Sequence, residues 1–438
     1  MATSPISFLD MDIRRSPHEA HRSLREKSPV YFDESCGMYM VLGYDEVRDI
    51  SADPETFSSV TGLLLVKESE QQEKINAVFE EHGFVPVNTL VVVDPPVHTF
   101  HRTLVNKAFN APALKRMQDA IEGTVARLVD GFIRQGGGDF YSAIAAPLPS
   151  FVVADQLGLP TEDFERFRTW TDAVVAEANP DNSEERQLEI TRTICELQQY
   201  VSKKADEYLE SPRPCLLSDI VHADVDGQKL TRQELVSIFT ILIAGSHDTT
   251  TSVLCSAIYR LARDPELQGR LRADPTILSR FVEEALRYDS PVAGLFRRAT
   301  KDTMVGDTKI PEGSLLMLRY GAANRDPKMF PDPDTFDPTR SNASRHLSFG
   351  HGIHLCIGNL IARAEIRAVV AEMLSRTSSF SLRGGEDGVS WLTNFIVYGP
   401  DGIQLDVEIV KMFASKGLNK AHRISPFNCA LHSTVFWV

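Results

Sequence analysis

The chain has 438 residues, of which 42% are hydrophobic and 24% charged, and its formal net charge at pH 7 is −14. This composition is typical of a globular protein. The acidic charge argues against nonspecific binding to nucleic acid or to an anionic membrane surface.

The N-terminal segment, residues 1–29, lacks the continuous apolar run of a signal peptide or a membrane anchor. No later run approaches the roughly 18 apolar residues of a membrane-spanning helix. The six cysteines are scattered without paired spacing, which fits a reducing compartment better than a disulfide framework. We therefore expect a cytoplasmic protein with no membrane anchor and no nucleic-acid partner.

Helical patterns dominate the chain, with apolar residues at spacings of three and four. The first long pattern, residues 111–139, stops at three consecutive glycines. Two more, 163–179 and 186–211, lie on either side of Pro180. Short strand-like segments are predicted at 29–34, 38–43, 314–320 and 391–399. The coarse prediction is a mainly α fold with small β-sheets.

The longest helical pattern covers residues 230–265. Thr231 and Glu234 have the spacing of a capping box at its start. Residues 239–244 are apolar on nearly every face, which predicts a helix running through the centre of the protein. The polar run 246–250 conflicts with these surroundings, because buried polar groups need partners or a function.

The segment 349–358, FGHGIHLCIG, is the first candidate for chemistry. A structural zinc site needs about four Cys or His ligands. His351, His354 and Cys356 offer three, and no second ligand pair lies nearby. A glycine-rich turn with solvated histidines is the plainer alternative, but it explains the lone cysteine poorly.

A third interpretation is a haem iron held by one thiolate. Cys356 precedes the strong helical pattern of residues 359–374, so its sulfur would lie at a helix N-terminus, where free N–H groups stabilise a thiolate. Gly350 and Gly358 let the backbone approach a flat macrocycle. Phe349 can pack beside the sulfur and exclude water, which contributes to setting an iron potential.

At every fixed position these ten residues match the cysteine-ligand loop of the cytochrome P450 family, Phe-Gly-x-Gly-x-His-x-Cys-x-Gly. With four further motifs in family order, the chain is identified as a member over residues 7 to 410. The resemblance implies a triangular, mainly helical domain that encloses haem b, with Cys356 as the axial ligand. We expect one such domain over residues 1–412. Residues 413–438 form a tail whose structure and native origin the sequence leaves open.

The helical segment 283–287 resembles the family's Glu-x-x-Arg motif, with Glu284 and Arg287 on one helical face. Arg340, in a segment similar to the family's meander, would complete a buried triad. The resemblance gives this triad a structural role, behind the haem and outside the reaction.

The segment 94–102 resembles the family's haem-propionate segment, with His98 and Arg102 four residues apart. Cationic and hydrogen-bonding groups are what two buried propionates require. By resemblance Arg297 and His354 are further propionate contacts, although the adjacent Arg298 leaves the choice between the two arginines open. Surface or supporting positions are expected for two other histidines, His101 and His351.

The polar run in the central helix resembles the family's acid–alcohol motif. Asp248 and Thr249 form the pair that relays protons to dioxygen in that family. Two positions depart from the pattern, because Gly245 replaces the usual alanine and Ser246 the usual glycine. The added hydroxyl bears on how this chain handles oxygen.

The resemblance implies a monooxygenase that places one atom of O2 into a hydrophobic small-molecule substrate by hydroxylation or epoxidation. A separate iron–sulfur ferredoxin and its reductase would supply electrons, and no bound NAD(P) or flavin is expected. A basic docking face on the cysteine side is expected to include Arg102, Lys107, Arg345 and Arg363.

The substrate itself is harder to read from the sequence. Matching the family's pocket segments selects an apolar set, which favours a hydrophobic ligand although a generic core would look similar. The set is Leu64, Ile241, Ala244, Gly245, Val292, Leu295, Phe296, Phe395 and Ile396.

Two alternative functions stay open at this point. One is a peroxide-using or otherwise non-oxygenase haem-thiolate enzyme, against which the acid–alcohol pair argues. The other is a haem-binding or sensing protein without turnover.

Overall fold

The computed structural model describes residues 6–61, 70–109, 111–160, 163–177, 182–392 and 395–410. Fifteen α-helices lie in these ranges. They are α1 (Met11–Arg15), α2 (His18–Arg25), α3 (Tyr44–Ala52), α4 (Glu70–His82), α5 (Val97–Ala108), α6 (Ala111–Arg134), α7 (Pro147–Gln156), α8 (Phe164–Ala176), α9 (Glu184–Glu210), α10 (Leu216–His222), α11 (Arg232–Arg263), α12 (Pro265–Ala273), α13 (Leu278–Tyr288), α14 (Tyr320–Ala323) and α15 (Asn359–Arg376).

The strands of the described ranges are short and belong to three sheets. They are β1 (Val30–Asp33), β2 (Met38–Val41), β3 (Phe57–Ser58), β4 (Gly137–Asp139), β5 (Leu295–Ala299), β6 (Thr303–Val305), β7 (Thr308–Ile310), β8 (Leu315–Leu318), β9 (Thr377–Leu382), β10 (Val389–Trp391) and β11 (Pro400–Ile409). One sheet has the order β1-β2-β8-β5-β3, a second has β10-β11-β4 with β9 also on β11, and β6 pairs with β7. The predicted fold class, mainly α with small sheets, is confirmed.

The central helix α11 begins where the capping box predicts. The Thr231 side chain accepts a hydrogen bond from the Glu234 backbone N–H, and Glu234 accepts one from the Thr231 N–H at 2.8 Å. Its first half packs into an apolar cluster with α4, α8 and α9, and its second half into another with α6, α7, α13 and α15. Being apolar on most faces, α11 forms the axis on which the two halves of the core meet.

Helix α6 ends at Arg134, just before the three glycines that were predicted to stop it, and the last two of these glycines begin β4 against β11. Gly137 has a φ of +99°, and a Cβ there would lie 2.2 Å from the Leu405 carbonyl oxygen, so the close pairing requires glycine.

The strand predicted over 391–399 is largely absent from the described part of that segment. Strand β10 ends at Trp391, and Val397 forms an isolated bridge with Val292. The long strand β11, Pro400–Ile409, was not predicted, because Pro400 and a following Gly hide its period. The predicted tail 413–438 lies outside the described residues. Among the described helices, none has both the length and the apolar character needed to cross a bilayer.

Candidate active site

The cysteine loop folds tightly before α15. The Cys356 backbone N–H donates to the Phe349 carbonyl at 2.9 Å, and Asn359 Nδ2 donates to the Cys356 carbonyl at 2.6 Å. Gly352 has a φ of +70°, and a Cβ there would lie 2.3 Å from the Ser51 carbonyl oxygen on α3. The loop is therefore held against α3, with the cysteine just before the first turn of α15.

The Cys356 sulfur lies in a mixed electrostatic environment. Burial raises the pKa of the thiol, while the Gly358 backbone N–H and the cations of Arg102 and Arg363 act in the opposite direction. These opposing groups are those that stabilise a thiolate, and a coordinated metal cation would remove the thiol proton outright.

A cluster of two arginines and two histidines lies next to this loop. The rings of His98 and His354 are 4.3 Å apart, and His354 Nε2 is 2.9 Å from the Ser59 hydroxyl. Burial first, then the charges of Arg297, His98 and Arg102, lower the pKa of His354 to about 3. The charges of the neighbouring arginines therefore disfavour protonation of His354.

The two arginines of this cluster have no counter-ion in the part of the chain that the structure describes. Arg297 is buried, and its Nη1 donates to the Phe296 carbonyl at 2.7 Å. Arg102 is partly buried, and no described carboxylate lies within ion-pair distance of either arginine. Arg298, the alternative to Arg297, points elsewhere and donates to the Gly313 carbonyl.

Because burying a charge without a counter-ion is costly, Arg102 and Arg297 need an anionic partner. His98, Arg102, Arg297 and His354 present hydrogen-bond donors beside a single cysteine sulfur. This donor set fits a flat group with two carboxylates and a metal that accepts sulfur, as haem does.

The predicted acid–alcohol pair lies in the middle of α11. Thr249 Oγ1 donates to the Gly245 carbonyl at 2.8 Å, and Ser246 Oγ donates to the Ile243 carbonyl at 3.0 Å. Ala244 and Gly245 are exposed although the flanking turns of α11 are buried. The helix therefore opens one face to a space beside the acid–alcohol pair.

Two polar residues beside this pair were missed by the sequence analysis. His247 is buried, and its Nδ1 lies 3.1 Å from Asp248 Oδ1. Glu365 on α15 is also buried, Thr250 donates to it, and burial raises the pKa of its carboxyl to about 8. Glu365 could have been found as a charged residue in line with Ile361 and Val369, four residues before and after it.

The predicted triad of Glu284, Arg287 and Arg340 is assembled behind the loop. Arg287 Nε donates to Glu284 Oε2 at 2.7 Å, and Arg340 Nε lies 3.3 Å from Glu284 Oε1. Arg287 also donates to the Asn324 and Pro333 carbonyls at 2.9 and 3.0 Å. One carboxylate and two guanidinium groups thus fix the meander to α13.

The predicted docking residues differ in their availability. Arg363 donates to both Glu283 carboxylate oxygens, at 2.6 and 3.0 Å, and lies 4.4 Å from the Phe349 ring centroid. It is therefore held in place rather than extended into solvent. Arg345 is exposed, and Lys107 is exposed although its Nζ donates to the Asp224 carbonyl.

The structure also gives the positions of His351 and His101, the two histidines not assigned to the haem propionates. His351 is exposed, as expected. His101 is not at the surface: it is buried, and its Nε2 lies 3.0 Å from Glu234 Oε1. The sequence left surface and supporting positions open for His101, because its partner is 133 residues away.

The apolar set predicted to line the pocket does not form one surface. Ile241, Ala244 and Gly245 lie on α11, and Leu64 lies outside the described residues. Strand alternation places Leu295 and Arg297 on one face of β5 and Phe296 on the other.

The two faces of β5 meet different clusters. Val292 and Leu295 pack with the apolar residues beside α3. Phe296 stacks on Phe395 with ring centroids 6.3 Å apart, and Ile396 packs against the same cluster as this pair. Phe296 thus packs on the opposite face of β5 from Leu295.

Comparisons with known proteins show which family this chain resembles. A family model described as Cytochrome P450 matches residues 184–405. The cytochrome P450 monooxygenase PikC of Streptomyces venezuelae is 32% identical over 401 residues, covering 90% of this chain and 92% of PikC.

Solved structures show the same similarity. Cytochrome P450 CYP109Q5 from Chondromyces apiculatus superposes with a TM-score of 0.81 at 31% identity, covering 92% of this chain and 98% of that one. CYP109E1 from Bacillus megaterium, solved in complex with corticosterone, gives a TM-score of 0.80 at 28% identity, covering 91% of this chain and 100% of that one.

Proposed function

Because the chain belongs to the cytochrome P450 family and its relatives are monooxygenases, we propose that it holds haem b through Cys356 and places one oxygen atom of O2 into a hydrophobic small molecule. The observation that carries this proposal is the pair of arginines without a described counter-ion, next to two histidines beside the cysteine loop. His98, Arg102, Arg297 and His354 supply the donors that two propionates need.

When bound, the haem supplies the redox chemistry that activates dioxygen. The chain supplies the sulfur and its surroundings. The Gly358 N–H and the Arg363 charge stabilise the Cys356 thiolate, and Phe349 shields it from water. The Phe349 carbonyl and Asn359 hold the loop so that the sulfur keeps one orientation.

On the central helix α11, Asp248 and Thr249 move protons toward the groove beside them. The Thr249 hydroxyl is oriented by the hydrogen bond that it donates to the Gly245 carbonyl, and its oxygen can still accept a hydrogen bond from another donor. Asp248 is partly exposed, so it can exchange protons with solvent. This pair favours the dioxygen reaction over a peroxide-using one.

Electrons come from a separate ferredoxin and its reductase in this proposal. The exposed cations Lys107 and Arg345 form the steering part of the docking face, while Arg363 links that face to the thiolate.

The substrate is an apolar molecule held over Ile241, Ala244, Gly245, Val292 and Leu295. The relative solved with corticosterone supports a ligand of that kind.

The first test is the spectrum of the dithionite-reduced protein with and without carbon monoxide. We expect a strongly red-shifted Soret band that Cys356→Ala abolishes and that the matched Cys36→Ala retains. A band that survives the loss of Cys356, or no haem band in the wild type, would contradict the proposal. A spin-state screen of apolar ligands follows, with hydroxylated or epoxidised product as the final readout.

A further inference from the structure

Arg319, directly after β8, is a buried arginine outside the candidate active site. It is 2% exposed. Its Nη2 lies 3.4 Å from His21 Nε2, and its Nη1 lies 3.4 Å from Met317 Sδ. Its guanidinium carbon is 4.8 Å from the ring centroid of Phe8 and 5.9 Å from that of Phe395.

No carboxylate among the described residues lies within ion-pair distance of this arginine. Burial lowers the pKa of Arg319 to about 10, and the Cys36 thiol is the one group that opposes this change. The pKa of His21 is lowered by burial and then by cations alone, first Arg319 and then His18, Arg25 and Arg325. The region therefore carries positive charge that the described part of the protein does not neutralise.

Hydrogen-bond donors in this cluster are also left over. Arg319 Nε and His21 Nδ1 are buried without a partner in the described structure. Arginine can only donate, so His21 Nε2 must accept from Arg319 Nη2, and the proton of the neutral imidazole must be on Nδ1. Two buried N–H groups thus lack an acceptor, which costs the full desolvation of each group.

We propose that Arg319 and His21 form a binding site for one carboxylate-type monoanion. The Arg319 Nε–H and the His21 Nδ1–H would donate to its oxygens, and its charge would neutralise the guanidinium. Planar carboxylates match the donor geometry of arginine.

Two sources can supply this chemistry. One is the acid function of a substrate, which rests on the proposed function: Phe395 borders the site, and its hairpin bridges through Val397 to Val292 on the active-site side. The other is a free small carboxylate such as formate.

The free anion is tested on the haem-loaded protein by its thermal midpoint in increasing sodium formate at constant ionic strength. We expect a saturable rise in the wild type, at least a tenfold weaker apparent affinity in Arg319→Met, and partial retention in Arg319→Lys. The control Arg383→Met removes an exposed arginine paired with Asp406 and should behave as the wild type. If Arg319→Met does not fold, His21→Gln, which lacks the Nδ1–H, takes its place.

The substrate source is tested by spin-state titration with dodecanoic acid and its methyl ester. A preference for the acid of at least tenfold in the wild type, lost in Arg319→Met, would assign the site to a substrate carboxylate. A formate effect without that preference would assign it to a free anion. The absence of both effects in the haem-loaded wild type would overturn the proposal. The carbon monoxide spectrum of each variant shows separately whether the haem site is intact.

Discussion

His247 Nδ1 lies 3.1 Å from Asp248 Oδ1 on the open turn of α11, so a buried imidazole touches the carboxylate that we assign to proton transfer. The two residues are adjacent in sequence, and their contact fixes the side-chain direction of Asp248.

We expect His247→Leu to uncouple the reaction. Without the imidazole the Asp248 carboxylate loses its orientation, and product formed per electron pair should fall about tenfold, against about a hundredfold for Asp248→Asn, within the range of positioned acid–base groups. The measurement is product and hydrogen peroxide per NADH consumed with a reconstituted ferredoxin system. Unchanged coupling in His247→Leu, with Asp248→Asn impaired, would limit His247 to packing.

The buried triad predicts a large loss of stability from one substitution. In Glu284→Gln, Arg287 and Arg340 lose their shared counter-ion at almost complete burial, and removing one partner of a buried pair costs about 3–5 kcal/mol. Urea unfolding of the haem-loaded protein measures the change. The control is Lys115→Ala, which breaks an exposed pair with Asp119 and should leave the midpoint unchanged.

A histidine in the N-terminal helix α2 predicts loss of stability in acid. The folded-state pKa of His21 lies well below 6.5 because of burial and then the Arg319 charge. Below pH 6.5 the unfolded chain therefore binds a proton that the folded chain does not, and stability falls as pH falls, by up to about 1.4 kcal/mol per pH unit. The free energy of unfolding of wild type and His21→Phe between pH 7.5 and 5 tests this sign. Parallel curves would show that His21 does not titrate on unfolding.

The two faces of β5 predict different effects for neighbouring residues. Leu295→Ala should change the affinity for apolar ligands in spin-state titration and, because Leu295 is only partly buried, cost less stability than truncation of a fully buried residue. Phe296→Ala, on the other face, should cost about 3–5 kcal/mol of stability as a buried aromatic truncation and leave ligand affinity nearly unchanged. A reversed pattern would place Phe296 in the pocket and contradict the packing described for this strand.

Leu295 and Phe296 also show how far the sequence could predict the site. Residues fixed by local spacing, such as the capping box of Thr231 or the Glu284–Arg287 pair, could be predicted because each contact lies within one helical turn. Matching pocket segments to the family ignored strand alternation, so Phe296 was grouped with residues of the other face. The His101–Glu234 contact joins residues 133 apart, and no local pattern records it.

The buried carboxyl of Glu365, next to Thr250, predicts that stability depends on pH in the opposite direction to the effect of His21. Burial raises the pKa of Glu365 to about 8 in the folded protein from 4.5, so between these values folding must take up a proton. Glu365 therefore destabilises the folded state increasingly as pH rises through this window, by about 1.4 kcal/mol per unit at most. Glu365→Gln keeps an acceptor for Thr250 and has no proton to take up. We expect the variant to be more stable than the wild type at pH 8, with a difference that vanishes near pH 4.5, by urea unfolding. A difference independent of pH would mean that Glu365 stays ionised, held by a partner other than Thr250.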